Sequence, residues 1–538
     1  MNFAIKPRPA APPLTLEEAA AMSPQQVLGH VGALHARIDD LTHQLDWLKR
    51  QVFGTKSERR LVDTSGQMSL GEVFEAPAAQ HAAEPLRPVA AHTRRAAPQA
   101  PDEGAEPLPF FDAARTPVEV IELPNPEVAA LAPDQYVVIG HKESFRLAQR
   151  PASFVVLKYV RPVVKLRATG AVSCPPAPTG VIAGSRADVS FVAGTMVAKF
   201  VYHLPLYRVY EQLIAAGFKL SRPWLTQLMQ QGIALLEPIY AAQFDSIRAG
   251  RVIAMDETPI KAGQNGAGHM KQGYFWPVYG EAHEVCFPFF DNRRAECVKQ
   301  ALGVRAQPGA VLLSDGYSAY SAYAQQMGVT HAQCWAHTRR GFFEARDTDP
   351  AAVDQALDQI GALYAVEEAI RCKKLSGDAK RQYRIDHAKP KVEAFFDWID
   401  RQIERLGLLP KNPFMKALAY ARERRAGLQV FLADPEVPID TNHLERALRR
   451  IPMGRKAWMF CWTELGARQV GIVQSLITTC RLHDIDPYDY LVDVLQRVAI
   501  HPAARVAELT PRLWKQHFAA NPLRSDLYQV GRSAQDAG

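Results

Sequence analysis

Paired cysteines, long apolar runs and an apolar N-terminal segment are all missing from this sequence. Seven cysteines are scattered over 538 residues without a CxxC pair, which argues against a disulfide framework and a four-cysteine zinc site. No uninterrupted apolar run approaches the roughly 18 residues of a membrane helix. The first residues, MNFAIKPRPAAPPLT, lack the apolar core of a secretion signal. We therefore expect reduced thiols, a cytoplasmic location and no membrane partner.

The composition is that of a folded protein with several domains. Hydrophobic residues make up 47% of the chain and charged residues 22%, which is globular usage. At roughly 100 to 200 residues per domain, a chain of this length predicts two to four domains. Lys and Arg outnumber Asp and Glu by 63 to 56. This modest excess permits a polyanionic partner without proving one.

A heptad pattern follows an N-terminal stretch, 1–23, that we expect to be disordered. Within 24–60, apolar residues alternate at spacings of four and three, which is the seam of a coiled coil. They are Val27, Val31, Leu34, Ile38, Leu41, Leu45, Leu48 and Val52. This pattern favours a homo-oligomer, and an amphipathic helix packed on its own protein is the alternative. The segment 61–117, Ala- and Pro-rich from residue 76, predicts a linker.

Two small regions are predicted after the linker. Over 118–185, β-rich runs such as SFVVLKYVRPVVKL indicate a small β module. Over 186–248, two amphipathic stretches joined by AAGF indicate helices, and Ser221 before Arg222 and Pro223 is an N-cap signal. The outline is that of a helix-turn-helix with Arg222 near DNA, although a generic helical hairpin has the same pattern.

Strand-like runs over 249–349 put two carboxylates at strand ends. RVIAM, GYFWPVYG and EVCFPFF predict a three-stranded meander, which a helix and the strand AVLLS follow. This succession is the opening of a ribonuclease-H-like mixed sheet, in which the first and fourth strands are neighbours. Asp256 and Asp315 should then converge and could hold two Mg²⁺ or Mn²⁺ ions. For either aspartate alone, an ordinary turn residue is the alternative.

A third acid is predicted on a helix within 437–500. Its apolar stripe consists of Leu444, Ala447, Leu448 and Ile451. Glu445 lies on the border of this stripe and can face the strand ends, with an exposed Glu–Arg pair as the alternative. His337 could approach the same metals. Basic residues that could bind DNA phosphates are Arg222, Arg339, Arg340, Arg446, Arg449, Arg450, Arg455 and Lys456.

More residues separate Asp315 from Glu445 than a compact core of this type needs. The intervening 350–436 contains several amphipathic runs and predicts an all-helical insertion, whose Lys and Arg density fits either a DNA-facing or a merely solvated surface. Residues 501–538 are less patterned and predict a C-terminal tail. The expected fold class is multidomain α+β, with a coiled-coil helix, a small β and helical DNA-binding region and a ribonuclease-H-like mixed α/β catalytic domain that the insertion interrupts.

An ordered set of motifs resembles the transposases of the insertion sequence 66 family, which belong to the DDE class. The motifs include MDETPIKA, LLSDGYSAY, HAQCWAHTRRGFFEA, DTNHLERALRR and GRKAWMF, and the likeness spans roughly residues 24 to 500. Position by position, the family's catalytic triad corresponds to Asp256, Asp315 and Glu445. The resemblance implies a bacterial enzyme that binds the terminal inverted repeats of its element, cuts the ends and joins them to target DNA. It also implies two small accessory proteins as partners.

The sequence departs from many relatives where they carry paired cysteines in a zinc-binding segment. Cys174 stands alone there, so we predict no zinc and a degenerate segment within the β module. His331, Cys334 and His337 also lack an evident fourth ligand, and we interpret them as a strand entering a helix. A structure-specific nuclease without strand transfer and an inactive DNA-binding dimer, acting as repressor or bridge, are the alternative functions.

Overall fold

A computed structural model describes residues 22–32, 34, 35, 38, 110–113, 116–150, 153–266, 269–304, 307–404, 411–528 and 530. These residues fall into two units, one before residue 110 and one from Phe110 onward. Most of the predicted linker and the greater part of the predicted coiled coil lie outside the described residues, as does nearly all of the N-terminal stretch predicted to be disordered. Within the described ranges, no helix combines the length and apolarity needed to cross a membrane.

The first unit contributes one helical segment, which begins at residue 24. Ser23 caps it reciprocally: its Oγ accepts from the Gln26 N–H, and the Gln26 side-chain oxygen accepts from the Ser23 N–H. The seam residues that can be described, Val27, Val31, Leu34 and Ile38, are 40–57% exposed. An apolar stripe that its own unit leaves open is what a coiled-coil seam requires.

The second unit begins with the small β module. Its strands are β1 (Val118–Glu122), β2 (Tyr136–Arg150), β3 (Ser153–Leu166) and β4 (Val172–Ser173). β3 is central, parallel to β1 and antiparallel to β2, and β4 pairs with its end. The run SFVVLKYVRPVVKL is therefore one strand, as its β-branched composition predicted.

Three helices lead from the β module to the central sheet. They are α1 (Val189–Phe200), α2 (Leu206–Ala215) and α3 (Arg222–Ala249). Ser221 caps α3, since its side chain accepts from the Trp224 N–H, so this N-cap prediction is confirmed. Leu225 and Leu228 are buried on α3, and the helix runs on to the start of the sheet.

The central sheet has five strands, β5 (Val252–Met255), β8 (Val278–Gly280), β9 (Glu284–Cys286), β11 (Val311–Ser314) and β12 (Thr330–Gln333). Their order is β12-β11-β5-β8-β9. β5, β11 and β12 are parallel, whereas β8 is antiparallel to both β5 and β9. The first and fourth predicted strands are thus neighbours, and every residue of β5 and β11 is buried.

A second sheet replaces part of the predicted meander. The strands β6 (Thr258–Gln264), β7 (Met270–Phe275) and β10 (Phe289–Phe290) pair in the order β10-β7-β6. The predicted strands GYFWPVYG and EVCFPFF therefore each divide between two sheets, at Pro277 and Pro288. Proline has no N–H to donate to a strand ladder, and both strands end beside one here, whereas Pro162 is accommodated within β3. The prediction of one continuous meander was wrong in this respect.

Helices cover the sheets and form the insertion. Those next to the strands are α4 (Ala295–Leu302), α5 (Ser318–Met327) and α6 (Trp335–Glu344). Between α6 and the last helices lie α7 (Pro350–Cys372), α8 (Gly377–His387), α9 (Lys389–Glu404), α10 (Pro413–Glu423) and α11 (Arg425–Ala433). The chain ends with α12 (Asn442–Leu448), α13 (Arg450–Trp458), α14 (Glu464–Leu482), α15 (Pro487–Arg497) and α16 (Pro511–His517). Trp514 of α16 is buried, so the segment predicted as a tail packs on the core in its described part.

The insertion is organised around one buried guanidinium. Arg384 on α8 is fully buried, forms an ion pair with Glu367 on α7 at 2.8 Å, and donates to the carbonyls of Phe431, Asp434 and Val437. Asp434 in turn forms an ion pair with Arg251, the residue before β5. These contacts connect the last residues of the insertion to the residue that precedes the first strand of the central sheet.

We expect Arg384→Ala to lower the free energy of unfolding by about 3–5 kcal/mol, because it leaves a partly buried carboxylate and three carbonyls without their donor. Urea and thermal unfolding would measure the change. The matched control is Arg381→Ala, one turn earlier on α8, where the ion pair with Asp378 is exposed and the change should stay within about 0.5 kcal/mol. Equal losses in both variants would contradict the assigned role of Arg384.

Candidate functional site

Asp256 follows the last residue of β5, in the direction in which the three parallel strands run. Its backbone N–H donates to the Pro277 carbonyl at 3.3 Å, which continues the contact between β5 and β8 by one residue. Its Oδ1 accepts from the Glu257 N–H at 2.8 Å. The sheet thus fixes the backbone of Asp256 while one carboxylate oxygen stays without a recorded hydrogen bond.

Asp315 follows β11 in the same way, and β11 is the parallel neighbour of β5. Its Oδ1 accepts from the Tyr317 N–H at 2.9 Å, just before α5 begins. Gly316 is required next to it, since a Cβ there would lie 2.5 Å from the Arg424 Nε and 2.7 Å from the Tyr420 ring. Parallel pairing thereby brings the two aspartates to one edge of the sheet.

Glu445 lies on α12, and the predicted apolar stripe beside it is buried: Leu444, Ala447 and Leu448 on α12 and Ile451 at the start of α13 all belong to the core. The Glu445 side chain is 31% exposed, at the border of that stripe. Its Oε1 lies 3.9 Å from the His337 Nε2, and its Oε2 lies 3.9 Å from an Arg340 nitrogen. Two residues of α6 therefore flank this carboxylate.

One cavity of about 460 Å³ collects the three acids. Its lining consists of Asp256, Glu257, Arg293, Asp315, His337, Arg340, Glu445, Leu448, Arg449 and Pro452. Within the described part of the chain, no three His, Cys, Asp or Glu side chains form a ready group for a metal ion. The three acids thus line one cavity, but their side chains are not already arranged as a metal-binding group.

Burial and like charge act together on Asp256. Burial, together with the nearby charges of Glu257, Asp315 and Glu445, raises the pKa of its carboxyl to about 7, while the hydrogen bond from the Glu257 N–H acts in the opposite sense. A carboxylate held among other carboxylates favours a proton or a cation in the cavity. This electrostatic coupling also indicates that the three acids lie within range of one another.

The donor chemistry of the cavity fits a hard divalent cation. Carboxylate oxygens are the ligands that Mg²⁺ and Mn²⁺ prefer. Among the described residues, Glu445 Oε1 is a buried oxygen without a hydrogen-bond partner, and a buried unpaired carboxylate oxygen is costly unless something binds it. Asp256, Asp315 and Glu445 are the residues that would hold such ions.

Glu257, directly after Asp256, lines the same cavity. Its Oε1 accepts from the Arg293 Nε at 2.8 Å, and its Oε2 accepts from the Tyr320 hydroxyl at 2.5 Å. Arg293 also stacks over the Tyr317 ring at 4.4 Å. Glu257 is therefore neutralised within the protein. No sequence pattern indicates a role for Arg293, which lies in the loop before α4 and meets Glu257 only through the fold.

The predicted basic residues divide into two sets. Arg340 and Arg449 line the cavity, together with His337. The others do not line it: Arg222, Arg339, Arg446, Arg450, Arg455 and Lys456. Arg222 stacks on Tyr207 at the start of α3, and Arg455 donates to the Pro259 carbonyl at 2.5 Å. Burial and the neighbouring Arg481 lower the pKa of Arg450 to about 10.

His331, Cys334 and His337 are indeed on a strand that enters a helix, β12 and α6. Their side chains have separate partners. His331 Nε2 lies 2.8 Å from the Ser314 Oγ, and Cys334 Sγ accepts from the N–H and hydroxyl of Thr441. Only His337 of the three lines the cavity of the acids.

Comparison with known protein families identifies the family of this chain. The family described as "Transposase IS66 family" matches residues 184–469, which contain all three acids. The chain belongs to the IS66 transposase family. The "IS66 C-terminal element" matches residues 475–512, and "Transposase C of IS166 homeodomain" matches residues 40–110. The described helices α14 to α16 thus include the family's C-terminal element.

Curated relatives of this IS66 family member come from Sinorhizobium fredii (strain NBRC 101917 / NGR234). The protein y4qI is 30% identical over 495 residues, which cover 88% of this chain and 89% of the relative. The protein y4hP is 29% identical, with 89% of each chain covered. Both carry the description "uncharacterized protein". The similarity therefore extends over nearly the whole chain, from the N-terminal region to the C-terminal element.

We expect Asp256→Asn to stabilise the metal-free protein at pH 8. The Asp256 pKa rises from 3.8 to about 7 on folding, so the folded state loses stability as the pH rises from about 4 to 7, and the asparagine removes that loss. Thermal unfolding in EDTA should show a gain of about 2–4 °C at pH 8, roughly 1 kcal/mol, that fades toward pH 4. The exposed Asp245→Asn is the control. A gain that is the same at both pH values would contradict the assignment.

Proposed function

We propose that the protein is a DDE transposase that binds the terminal inverted repeats of an insertion sequence and catalyses metal-dependent strand cleavage and strand transfer. The observation that carries this proposal is the single cavity in which Asp256, Asp315 and Glu445 meet beside Arg340 and Arg449. Acidic oxygens suit the metals and flanking guanidinium groups suit phosphates. Membership of the IS66 family supports the same conclusion.

The sheet topology supports a ribonuclease-H-like catalytic domain. Three parallel strands, β5, β11 and β12, continue into the antiparallel pair β8 and β9, with the first strand in the middle. Asp256 and Asp315 follow the ends of two adjacent parallel strands, and Glu445 is supplied by a later helix. This arrangement gives three acids from three distant parts of the sequence a common edge on which DNA can lie.

The residues of the cavity have distinct proposed roles. Asp256, Asp315 and Glu445 hold two Mg²⁺ or Mn²⁺ ions, which would activate the attacking oxygen and stabilise the leaving oxygen of an in-line phosphoryl displacement. Arg340 and Arg449 bind the phosphates that flank the cut and offset their charge. The fourth acid that lines the cavity, Glu257, is paired with Arg293. Among the described residues of the lining, the other three acids are therefore the ones that remain for the metals.

One site can serve both chemical steps. Water attacks the phosphodiester during cleavage, and a DNA 3′-hydroxyl attacks in the same way during strand transfer. Each step exchanges one phosphoester bond, and no covalent bond to the protein forms. His337 lies 3.9 Å from Glu445, where it can orient this acid or contact the scissile phosphate.

The remaining predicted surfaces contribute binding. We propose that the helices α2 and α3, with Arg222 at the start of α3, contact the terminal repeats in the manner of a helix-turn-helix. The exposed apolar stripe of the N-terminal helix brings copies of the chain together as a coiled coil. The two ends of one insertion sequence are then held in one assembly. The two small accessory proteins of the family are proposed partners of that assembly.

We expect Asp256→Asn, Asp315→Asn and Glu445→Gln each to abolish Mg²⁺-dependent cleavage and to leave DNA binding within about threefold, because each removes a metal ligand and no DNA contact. The assay combines purified protein, Mg²⁺, a labelled duplex with the end of the element, and a target plasmid. Asp378→Asn on α8, whose side chain is 90% exposed, is the control with full activity.

The products of the same assay separate the alternative functions. Joined end and target molecules support a transposase, whereas cut ends that never join would indicate a nuclease. Binding without any cut would indicate an inactive dimer. Cleavage that survives in any two of the three acid variants would contradict the proposed triad.

We expect the double substitution Leu34→Glu with Ile38→Glu to reduce self-association at least tenfold, since it puts charges into the proposed seam. Sedimentation equilibrium would measure it. Gln25→Glu with His30→Glu is the matched control, because both positions lie off the seam on the same exposed helix and the added charge is similar. If the two variants associate alike, the helix does not mediate assembly.

A further inference from the structure

Beside the cavity of the three acids, the segment from α13 to the start of α14 exposes large apolar side chains. Trp462 and Met459 are each 67% exposed, Leu465 is 59% exposed and Met453 is 50% exposed. Four such residues within thirteen positions contrast with the core positions of the same segment, Ile451, Cys461 and Ala467, which are buried. An exposed cluster of this kind marks a surface that binds something.

Trp462 is exposed although its backbone is firmly held. The preceding Cys461 donates its N–H to the Lys261 carbonyl at 2.9 Å and accepts from the Gly263 N–H at 3.1 Å, which pairs this segment with the edge of β6. The Phe460 ring meets the Trp462 ring edge to face, with centroids 5.0 Å apart. The indole is thus presented on a rigid support and is not the tip of a free loop.

The backbone that presents this surface is strained. Met459 ends α13 with φ 63° and ψ −55°, which non-glycine residues rarely adopt. This conformation turns the chain out of the helix and onto β6. Residues in such conformations persist only where surrounding contacts hold them, and they cluster at functional sites. Met459 is exposed at this turn, three positions before Trp462.

The charge around the apolar cluster is positive. Lys261, Lys456 and Arg468 are exposed on the same elements, and the one acid in this segment after Glu445, Glu464, is paired with Lys271 at 3.1 Å. An apolar ring surface with a cationic surround is complementary to a nucleic-acid strand, whose bases stack and whose phosphates are anionic.

Two backbone segments connect the exposed apolar cluster to the cavity of the three acids. β6 starts two residues after Asp256, and its edge holds Cys461. α13 follows directly after α12, which carries Glu445, and Pro452 of α13 lines the cavity while its neighbour Met453 is exposed. A strand that leaves the cavity along β6 or α13 therefore reaches Trp462 within a few nucleotides.

We propose that Trp462, with Met459 beside it, stacks on an unpaired base of the DNA strand next to the cut. The inference rests on the proposed function, since it assigns a specificity contact to the same DNA site. A base inside a duplex is already stacked on both faces, so this contact selects strands that are frayed or opened near the cavity. The surrounding cations, Lys456 among them, bind the flanking phosphates.

The test measures binding of the full chain, in EDTA, to a single-stranded thymidine oligonucleotide of about 20 nucleotides with one 2-aminopurine, and to a duplex of the same length. Trp462→Ala should weaken single-strand binding about tenfold, the loss expected for one stacked base, and abolish the quenching of 2-aminopurine. Trp462→Phe should retain both within about threefold. Duplex binding should change less than twofold in either variant.

The control is Tyr528→Ala, which removes another exposed aromatic residue that has an arginine over its ring. Unchanged single-strand affinity of Trp462→Ala, or an equal loss on the duplex, would overturn the proposal. A changed sedimentation of Trp462→Ala with unchanged DNA affinity would also overturn it, because the cluster would then join copies of the chain. Binding is measured in EDTA, where no cleavage is required. The result for Trp462 therefore does not depend on whether the acid variants lose their cleavage activity.

Discussion

The parallel pairing of β5 with β11 is the constraint on which the rest of the site depends. Val252, Ile253 and Ala254 pair in register with Val311, Leu312 and Leu313, and all six side chains are buried. This register puts the residues after the two strands side by side. Both faces of these strands are packed against core residues, so a shift of one position would move every apolar side chain to the opposite face and disrupt the packing on both sides. The packing of these strands therefore also fixes the separation of the two aspartates.

Much of this arrangement could be predicted from local patterns. Short apolar runs that end in Asp256 and Asp315 are recognisable because a buried strand needs continuous β-branched and aliphatic residues. The border position of Glu445 follows from the helical period of Leu444, Ala447 and Leu448. The convergence of the three acids then depends only on the chain order of strands and helices, which packing rules restrict to few topologies.

Other features depend on contacts between distant residues and have no local signature. The neutralisation of Glu257 by Arg293 and Tyr320 requires the loop before α4 and the first turn of α5 to meet beside the end of β5, and no periodic pattern in the sequence indicates this contact. The predicted meander divides into two sheets at Pro277 and Pro288. The prolines themselves are visible in the sequence, but the second sheet that forms beyond them is not. The exposure of Trp462 is likewise invisible in the sequence, since tryptophan usually predicts a core position.

The contact between the insertion and the loop after β11 changes how this chain can be shortened. Arg424, between α10 and α11, donates to the Gly316 carbonyl at 3.0 Å while its guanidinium stacks on Tyr420. A protein trimmed to its sheet and the helices around it would lose this support directly beside Asp315. The helical insertion therefore supports the loop that carries Asp315 from outside the cavity, and a functional fragment of this chain has to include it.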